Sequence, residues 1–194
     1  MGKIFYLMGK SSSGKDTIYR ELMKKKGDVL HAIVPYTTRP IRAGEQEGRE
    51  YHFVDEAEFQ RLMDGGKVIE QRAYQTFHGI WRYFTVDDGQ FSLDSSKNYI
   101  MIGTLEGYTS MRNYFGDASV VPVLIELDDG IRLQRALNRE KKQAQPKYQE
   151  MCRRFLADSE DFSEEKIQAA GIGRRFQNEN LKQCLSEITD YIFA

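Results

Sequence analysis

Apolar and polar positions follow one another along the chain in blocks that predict alternating strands and helices. The apolar run Ile4–Met8 has the length of a buried strand, and apolar residues at helical spacing follow it over 14–26. Later blocks repeat the two patterns: strands over 29–37, 99–103 and 120–127, and helices over 106–114, from 129, and over 147–162, 164–170 and 179–193. Strands that alternate with helices favour a three-layer α/β/α fold with a mostly parallel sheet.

The segment 38–86 interrupts this alternation. Residues 38–50 contain almost no core-forming side chain, 51–54 is strand-like, and Asp55 is placed to cap a short helix. Residues 68–86 are rich in aromatic and β-branched side chains, which predicts two or three short strands. The sequence therefore predicts a β-rich insertion between two parts of an α/β core.

Composition narrows the range of functions. With 194 residues, 40% of them apolar, the chain is long enough for one sizeable core. A net charge of −1 argues against a general nucleic-acid or membrane-surface binder, so neither is expected as a partner. The two cysteines lack metal-like spacing, there is no run of about 18 apolar residues, and the first residues lead straight into a strand. We therefore expect a cytoplasmic protein.

The stretch from Gly9 to Thr17 carries a chemical signal. It has the pattern GxxxxGK between a strand and a helix, where backbone N–H groups and a helix N-terminus can hold the phosphates of a nucleoside triphosphate. Lys15 adds a mobile positive charge, and the glycines let the backbone bend around the phosphates. The predicted donor-binding residues are Gly9, Ser11, Ser12, Ser13, Gly14, Lys15, Asp16 and Thr17.

Asp16 stands where this pattern has a serine or threonine whose hydroxyl ligates magnesium. A carboxylate is a hard oxygen ligand suited to the same ion, so Asp16 is the predicted metal ligand. The alternative is that Asp16 turns away from the phosphates and caps the helix.

A second motif, over 37–54, is more specific than the loop. It reads Thr-Thr-Arg-Pro-x-Arg-x-Gly-Glu-x-x-Gly-x-x-Tyr-x-Phe-Val, and Val68-Ile69-Glu70 follows a short way on. With the loop, it closely resembles the guanylate kinase family, and the resemblance covers nearly the whole chain. It implies a P-loop kinase with a core (1–37, 87–139 and 159–194), an acceptor-binding insertion (38–86) and a lid (140–158).

This motif supplies groups suited to the phosphate of a monophosphate acceptor. Arg39 and Arg42 can hold its oxygens through charge-assisted, forked hydrogen bonds, and Tyr51 adds a neutral donor. The resemblance implies that Glu45 orients an arginine. The alternative for the two arginines is a solvated loop with ordinary surface cations.

The resemblance also assigns residues to the acceptor's base. Glu70 matches a carboxylate that binds the paired N1–H and N2–H donors of guanine, and His78 and Gly79 match the turn that closes over the acceptor. The alternative for Glu70 is an exposed strand residue paired with a neighbour such as Arg72.

Three arginines match residues on the lid side of the family's site. Lys15, Arg135, Arg139 and Arg154 are the predicted catalytic residues, because together they would neutralise the moving phosphoryl group when the lid closes. Asn178 matches a residue that borders the donor adenine. The alternatives are surface arginines paired with glutamates, and an ordinary loop residue or helix cap for Asn178.

The sequence also departs from the family. Two aspartates that follow the third core strand are replaced by Ile102 and Thr104, and a serine that donates to guanine O6 is replaced by Pro35. At the closing turn, Ile80 stands where the family has serine or threonine. The Gly-Lys-Asp variant of the loop resembles ribose 1,5-bisphosphate phosphokinases, which lack the acidic pair as well.

The sequence therefore predicts an ATP- and Mg²⁺-dependent kinase that phosphorylates a small nucleotide acceptor, GMP or dGMP. One alternative is a kinase for ribose bisphosphate or another phospho-acceptor. The other is a catalytically silent binding module, which the missing acidic pair favours. We expect a monomer or a homodimer.

Overall fold

A computed structural model of the chain describes residues 2–42, 44–76, 79–93 and 96–194. Within these residues, the strands are β1 (Ile4–Met8), β2 (Leu30–Ala32), β3 (Tyr36–Thr37), β4 (His52–Phe53), β5 (Val68–Thr76), β6 (Gly79–Val86), β7 (Asn98–Ile102), β8 (Val120–Glu126) and β9 (Arg175–Gln177). The helices are α1 (Lys15–Lys26), α2 (Glu56–Asp64), α3 (Leu105–Phe115), α4 (Asp129–Glu140), α5 (Tyr148–Asp161), α6 (Glu164–Ala169) and α7 (Leu181–Phe193).

Five strands form a parallel core sheet in the order β2-β7-β1-β8-β9. β1 lies at its centre, where Ile4 pairs with Tyr99 on one side and Val120 on the other. All five residues of β1 are buried, because helices cover both faces of the sheet. One face packs against α3 and α6 through residues such as Met111 and Ile167, and the other against α1 and α7. The predicted three-layer fold with a parallel core sheet is confirmed.

A second sheet, ordered β4-β3-β6-β5, accounts for the β-rich character of the insertion. β5 and β6 form an antiparallel hairpin, whereas β3 and β4 pair in parallel. α2 packs on this sheet through Phe59, whose ring meets that of Phe84 edge-on at 4.9 Å between centroids. Asp55 caps α2 as predicted, since its carboxylate accepts from the backbone N–H of Glu58 at 2.8 Å.

The prediction of one strand over 29–37 is wrong. The chain forms β2 in the core sheet and β3 in the second sheet, and it crosses between them over 33–35. Pro35 has no N–H to offer a neighbouring strand, and the N–H of Val34 donates to the side chain of Gln90 at 2.7 Å. Strand pairing is therefore interrupted at these two residues. The sequence pattern also missed β9, whose three residues include a single buried side chain, Phe176.

The carboxyl ends of β1, β7 and β8 lie at one edge of the core sheet, because these strands are parallel neighbours. Residues 9–14, which we call the glycine loop, leave this edge after β1, and Thr104 lies two residues beyond the end of β7. Open α/β sheets bind their ligands at this edge. The fold thus places the loop motif where a ligand is expected.

Two observations bear on the expectations from composition. Cys152 is exposed and Cys184 is buried, and both are free thiols. Across the described ranges, no helix is both long enough and apolar enough to span a bilayer.

Candidate active site

The glycine loop adopts backbone conformations that require glycine at two positions. Gly9 and Gly14 have φ angles of 153° and 95°. A Cβ at Gly9 would overlap the carbonyl oxygen of Ile125, and one at Gly14 would overlap the amide of Asn178. The loop then leads directly into the first turn of α1, which is the arrangement in which a helix N-terminus binds an anion.

The glycine loop also carries two hydroxyl groups in need of a partner. The Oγ atoms of Ser12 and Ser13 are buried and have no hydrogen-bond partner among the described residues. Because buried polar groups are nearly always hydrogen-bonded, such atoms mark a place that a ligand can fill. The triphosphate predicted from the sequence fits this donor set.

Two of the predicted residues converge on the loop from other elements. Asn178 is buried, and its Nδ2 donates to the carbonyl oxygen of Ser13 at 2.7 Å, so it supports the loop backbone directly. Arg135 extends from α4, and its Nη1 lies 3.7 Å from the position that a Cβ of Gly14 would take. The structure therefore brings together the glycine loop, α4 and the segment after β9.

Lys15 and Asp16 begin α1 with opposite charges. Lys15 Nζ lies 3.8 Å from Asp16 Oδ1, and the Asp16 side chain is 72% exposed. Among the described residues, α1 has no side-chain cap at Gly14, so Asp16 does not take the capping role that was its alternative. No group of three or more His, Cys, Asp or Glu side chains comes together as a metal site in the described ranges. A magnesium ion at Asp16 would draw its other ligands from phosphates and water, as this ion commonly does.

Arg132 and Asp158 form a link to the loop that the sequence analysis missed. Arg132 is fully buried on α4; its Nε donates to the carbonyl oxygen of Ser11 at 3.0 Å and its Nη2 to Asp158 at 3.0 Å. Its Nη1 also donates to Asp129, one helical turn away. Asp158, on α5, accepts from the backbone N–H of Ser11 at 2.8 Å and from its hydroxyl at 3.2 Å. These contacts tie the loop to both helices.

A sequence signal for Arg132 does exist. Arg132, Ala136 and Glu140 are the buried residues of α4, and they recur every four positions along one face. A charged residue on the inward face of a helix predicts a buried ion pair. Nothing local to α5 identifies Asp158 as its partner.

The two remaining predicted arginines lie farther along the chain and are exposed. Arg139 lies one turn beyond Arg135 on α4. Arg154 lies on α5, where its Nε is 3.5 Å from Glu150. Of the three arginines in the predicted catalytic set, Arg135 is the one whose side chain lies beside Gly14 in the described structure.

The predicted acceptor residues Arg39, Glu45 and Tyr51 do come together. Arg39 is buried, and its Nη1 and Nη2 donate to the two oxygens of Glu45 at 2.8 and 2.6 Å. Its guanidinium lies 5.0 Å from the ring centroid of Tyr51 and 5.4 Å from that of Phe53. The hydrogen bonds from Arg39 lower the pKa of Glu45 to about 2. Arg42 has an exposed side chain, and its backbone N–H donates to Glu45 at 2.9 Å.

Arg39 has one further feature that fits a phosphate site. Its Nε is buried and has no hydrogen-bond partner in the described part of the chain. Two N–H groups of the guanidinium are fixed on Glu45, so the orientation of the third is fixed as well. The site can therefore offer an anion a pre-oriented charged donor.

Glu70 is buried in a polar cluster of five residues, which we call the Glu70–Arg72 cluster: Tyr6, Glu70, Arg72, Thr85 and Thr104. Glu70 accepts from the Thr85 hydroxyl at 2.8 Å and from Arg72 at 3.1 Å (Nε) and 3.3 Å (Nη2). Arg72 also donates through Nη1 to the Thr104 hydroxyl at 3.3 Å. Burial opposes ionisation of Arg72, but Glu70 and the nearby tyrosines together outweigh it, so the pKa of Arg72 is raised. The alternative in which Glu70 is exposed is wrong, although its pairing with Arg72 is correct.

The Tyr6 hydroxyl packs closely against the backbone that follows β7. A Cβ on Gly103 or on Gly107 would overlap the Tyr6 hydroxyl, so both positions require glycine. Burial raises the pKa of Tyr6 and keeps its hydroxyl neutral. Thr104 caps α3 by accepting from the backbone N–H of Gly107 at 3.2 Å.

The closing turn is only partly described. His78, the predicted base-side residue, lies outside the described residues. Gly79 begins β6 with a φ angle of 100°, and a Cβ there would meet no described atom within 4 Å.

Comparisons with known proteins support the predicted resemblance. The sequence model of the guanylate kinase family matches residues 1–80. The chain is 32% identical over 124 residues to a guanylate kinase of Chromohalobacter salexigens, which is 63% of this chain and 55% of that protein. It is 26% identical over 194 residues to guanylate kinase 1 of Arabidopsis thaliana, which is 98% of this chain and 47% of that protein. The chain thus spans about half the length of the curated relatives it matches.

The fold is shared with a solved structure as well. The crystal structure of guanylate kinase from Anaplasma phagocytophilum superimposes on the chain with a TM-score of 0.69 and 20% identity. The match covers 98% of this chain and 84% of that one. The family resemblance predicted from the sequence is confirmed.

Proposed function

Because this chain is a relative of the guanylate kinases, we propose that it transfers the γ-phosphoryl group of ATP to GMP or dGMP. One observation carries the proposal: both predicted phosphate sites hold buried donors without a partner among the described residues. These donors are the Ser12 and Ser13 hydroxyls in the glycine loop and the Nε of Arg39, two residues after β3. Two anion sites in one chain suit a donor and an acceptor that both carry phosphate.

On the donor side, the glycine loop and Lys15 hold the β- and γ-phosphates, together with Thr17 at the first turn of α1. Arg135 lies beside Gly14, where it can neutralise charge on the transferred group. Bound Mg²⁺ would neutralise phosphate charge at this site, and Asp16 is the residue that would supply an oxygen ligand for it. Lys15 balances the charge of this carboxylate.

On the acceptor side, Arg39, Arg42 and Tyr51 hold the monophosphate, and Glu45 keeps Arg39 in position. We propose further that 38–86 is the acceptor-binding insertion and that 140–158 acts as a lid on the core. Closure of the lid would carry Arg154, whose side chain is exposed in this structure, toward the phosphates, and Arg139 lies directly before the lid.

The test is a coupled assay of ADP release with ATP, Mg²⁺ and a panel of acceptors: GMP, dGMP, AMP and ribose phosphates. We expect release with GMP and dGMP above the rate measured without acceptor. A preference for a ribose phosphate would contradict the proposal and favour the sugar-phosphate kinase. Absence of release with every acceptor, in a protein that still binds GMP, would favour the silent binding module.

A further inference from the structure

The Glu70–Arg72 cluster contains Glu70, the residue that the family resemblance assigns to the acceptor's base. We propose that Arg72, rather than Glu70, recognises the base, through the O6 and N7 acceptors of a purine ring. This inference rests on the proposed function, because it requires a purine monophosphate as the acceptor. It predicts a different substrate range from the one expected if a free Glu70 carboxylate bound the base.

The first step in the argument is that Glu70 is already engaged. Its Oε1 accepts from Thr85 and from Arg72 Nη2, which uses both lone pairs of that oxygen. Its Oε2 accepts from Arg72 Nε and lies 3.5 Å from the position that a Cβ of Gly107 would take. The Glu70 side chain is only 2% exposed. A carboxylate in this state cannot accept both N1–H and N2–H of guanine.

The second step is that Arg72 has donors left. Of its five N–H groups, three are directed at Glu70 and Thr104. The other two have no partner within the described ranges, and the side chain is 14% exposed, so it is more accessible than Glu70. The hydrogen bond to Thr104 also joins the second sheet to the end of β7 in the core sheet. Arg72 therefore stands between the two sheets.

The third step is that three other candidates for a donor to O6, at positions 35, 37 and 80, are lost or engaged. Pro35 has no N–H, and Ile80 has no polar side chain. The hydroxyl of Thr37 donates to the carbonyl oxygen of Arg82 at 2.7 Å. A guanidinium that donates to O6 and N7 is a common and specific way to bind guanine. Among the described residues, Arg72 offers two N–H groups in one plane for the two acceptors O6 and N7.

Substrate discrimination follows from which atoms are read. Guanine and hypoxanthine share O6 and N7 and differ only in the 2-amino group, so GMP and IMP should bind alike. Adenine presents an amino group at position 6, which would face the cation with a donor. A 7-deaza-guanine lacks the N7 acceptor and would leave one Arg72 N–H without a partner.

The experiment measures binding of GMP, IMP, AMP and 7-deaza-GMP to the whole chain by calorimetric titration. We expect dissociation constants for GMP and IMP within about threefold, and binding of AMP and 7-deaza-GMP about tenfold weaker or more. If GMP bound more than about tenfold tighter than IMP, the inference would be overturned, because the 2-amino group would then be recognised, as expected for Glu70. If no purine monophosphate bound, the proposed function would fail together with the inference.

A variant locates the effect at Arg72. Arg72→Lys keeps a positive charge beside Glu70 but removes the planar fork, so the penalty for 7-deaza-GMP relative to GMP should fall below about threefold. Arg61→Lys is the matched control, because Arg61 forms a similar pair with Glu58 at 2.6 Å on the surface of α2. It should keep the full penalty. An unchanged penalty in Arg72→Lys, with thermal melting that shows a folded protein, would also overturn the inference.

Discussion

The glycine loop and the Glu70–Arg72 cluster differ in which part of the chain would recognise a ligand: the backbone in the loop and the side chains in the cluster. The loop is defined mainly by backbone conformation, with left-handed glycines and a helix N-terminus, and its sequence pattern is complete as far as Lys15. Recognition at the cluster depends on how its side chains pair, and in this chain the Glu70 carboxylate is already paired with Arg72. Backbone-based recognition of phosphate can therefore persist while side-chain recognition of a base changes within the same fold.

The largest expected effect tests the loop side of this comparison. Lys15→Ala should lower phosphoryl transfer by about 10²-fold or more, because it removes the charge held against the donor phosphates. The rate of ADP release with GMP measures it, and circular dichroism checks the fold. Lys24→Ala, at the exposed far end of α1, is the matched control and should keep full activity. Undiminished transfer in a folded Lys15→Ala protein would show that the phosphate donor does not bind at the glycine loop.

An intermediate effect sharpens the acceptor side. Arg39→Ala and Arg42→Ala should each weaken GMP binding about tenfold or more, since a charge-assisted hydrogen bond contributes about 1.5–3 kcal/mol. Only Arg39→Ala should also lower the melting temperature, because it leaves Glu45 without its paired guanidinium. Calorimetric titration with GMP and thermal melting separate the two effects. Wild-type affinity for GMP in both variants would show that the acceptor phosphate binds at another part of the chain.

The smallest effect concerns pH and the Arg39–Glu45 pair. Arg39 lowers the pKa of Glu45 from 4.5 to about 2, so the pair stabilises the fold fully above pH 4.5 and loses this contribution as the pH falls toward 2. Glu45→Gln should therefore lower the melting temperature at pH 7, and the difference from wild type should shrink between pH 4.5 and 2. Thermal melting across this range measures it. A difference that stayed constant with pH would mean that the ionised pair does not stabilise the fold.

Local patterns predicted the parts of the structure that local interactions determine. The GxxxxGK spacing and the flanking apolar runs were sufficient for the glycine loop, and an aspartate before a helical pattern was sufficient for the cap at Asp55. The parallel core sheet followed from alternation alone. The strand over 29–37 failed because the pattern carries no information about which sheet an apolar residue joins. The break is explained by Pro35, which has no N–H for strand pairing, together with the long-range hydrogen bond from Val34 to Gln90.

The missed contacts of the candidate site join residues far apart in sequence. Asp158 meets Ser11 across 147 positions, and Arg72 meets Thr104 across 32. The sequence predicts the pairing of Glu70 with Arg72 as an alternative, but it does not predict that Glu70 is buried. β-strand alternation places both residues on the same face and does not show what covers that face. Tertiary packing, rather than local propensity, sets these partners.

The contact between Asp158 and the Ser11 amide bears on the order of events when an anion arrives at the loop. A carboxylate and a phosphate accept from the same N–H group, so a phosphate that takes up this N–H must displace Asp158. Asp158 belongs to α5, and its departure would loosen the attachment of that helix to Arg132. Arrival of the ligand and release of α5 would then be one exchange of hydrogen-bond acceptors at the Ser11 amide.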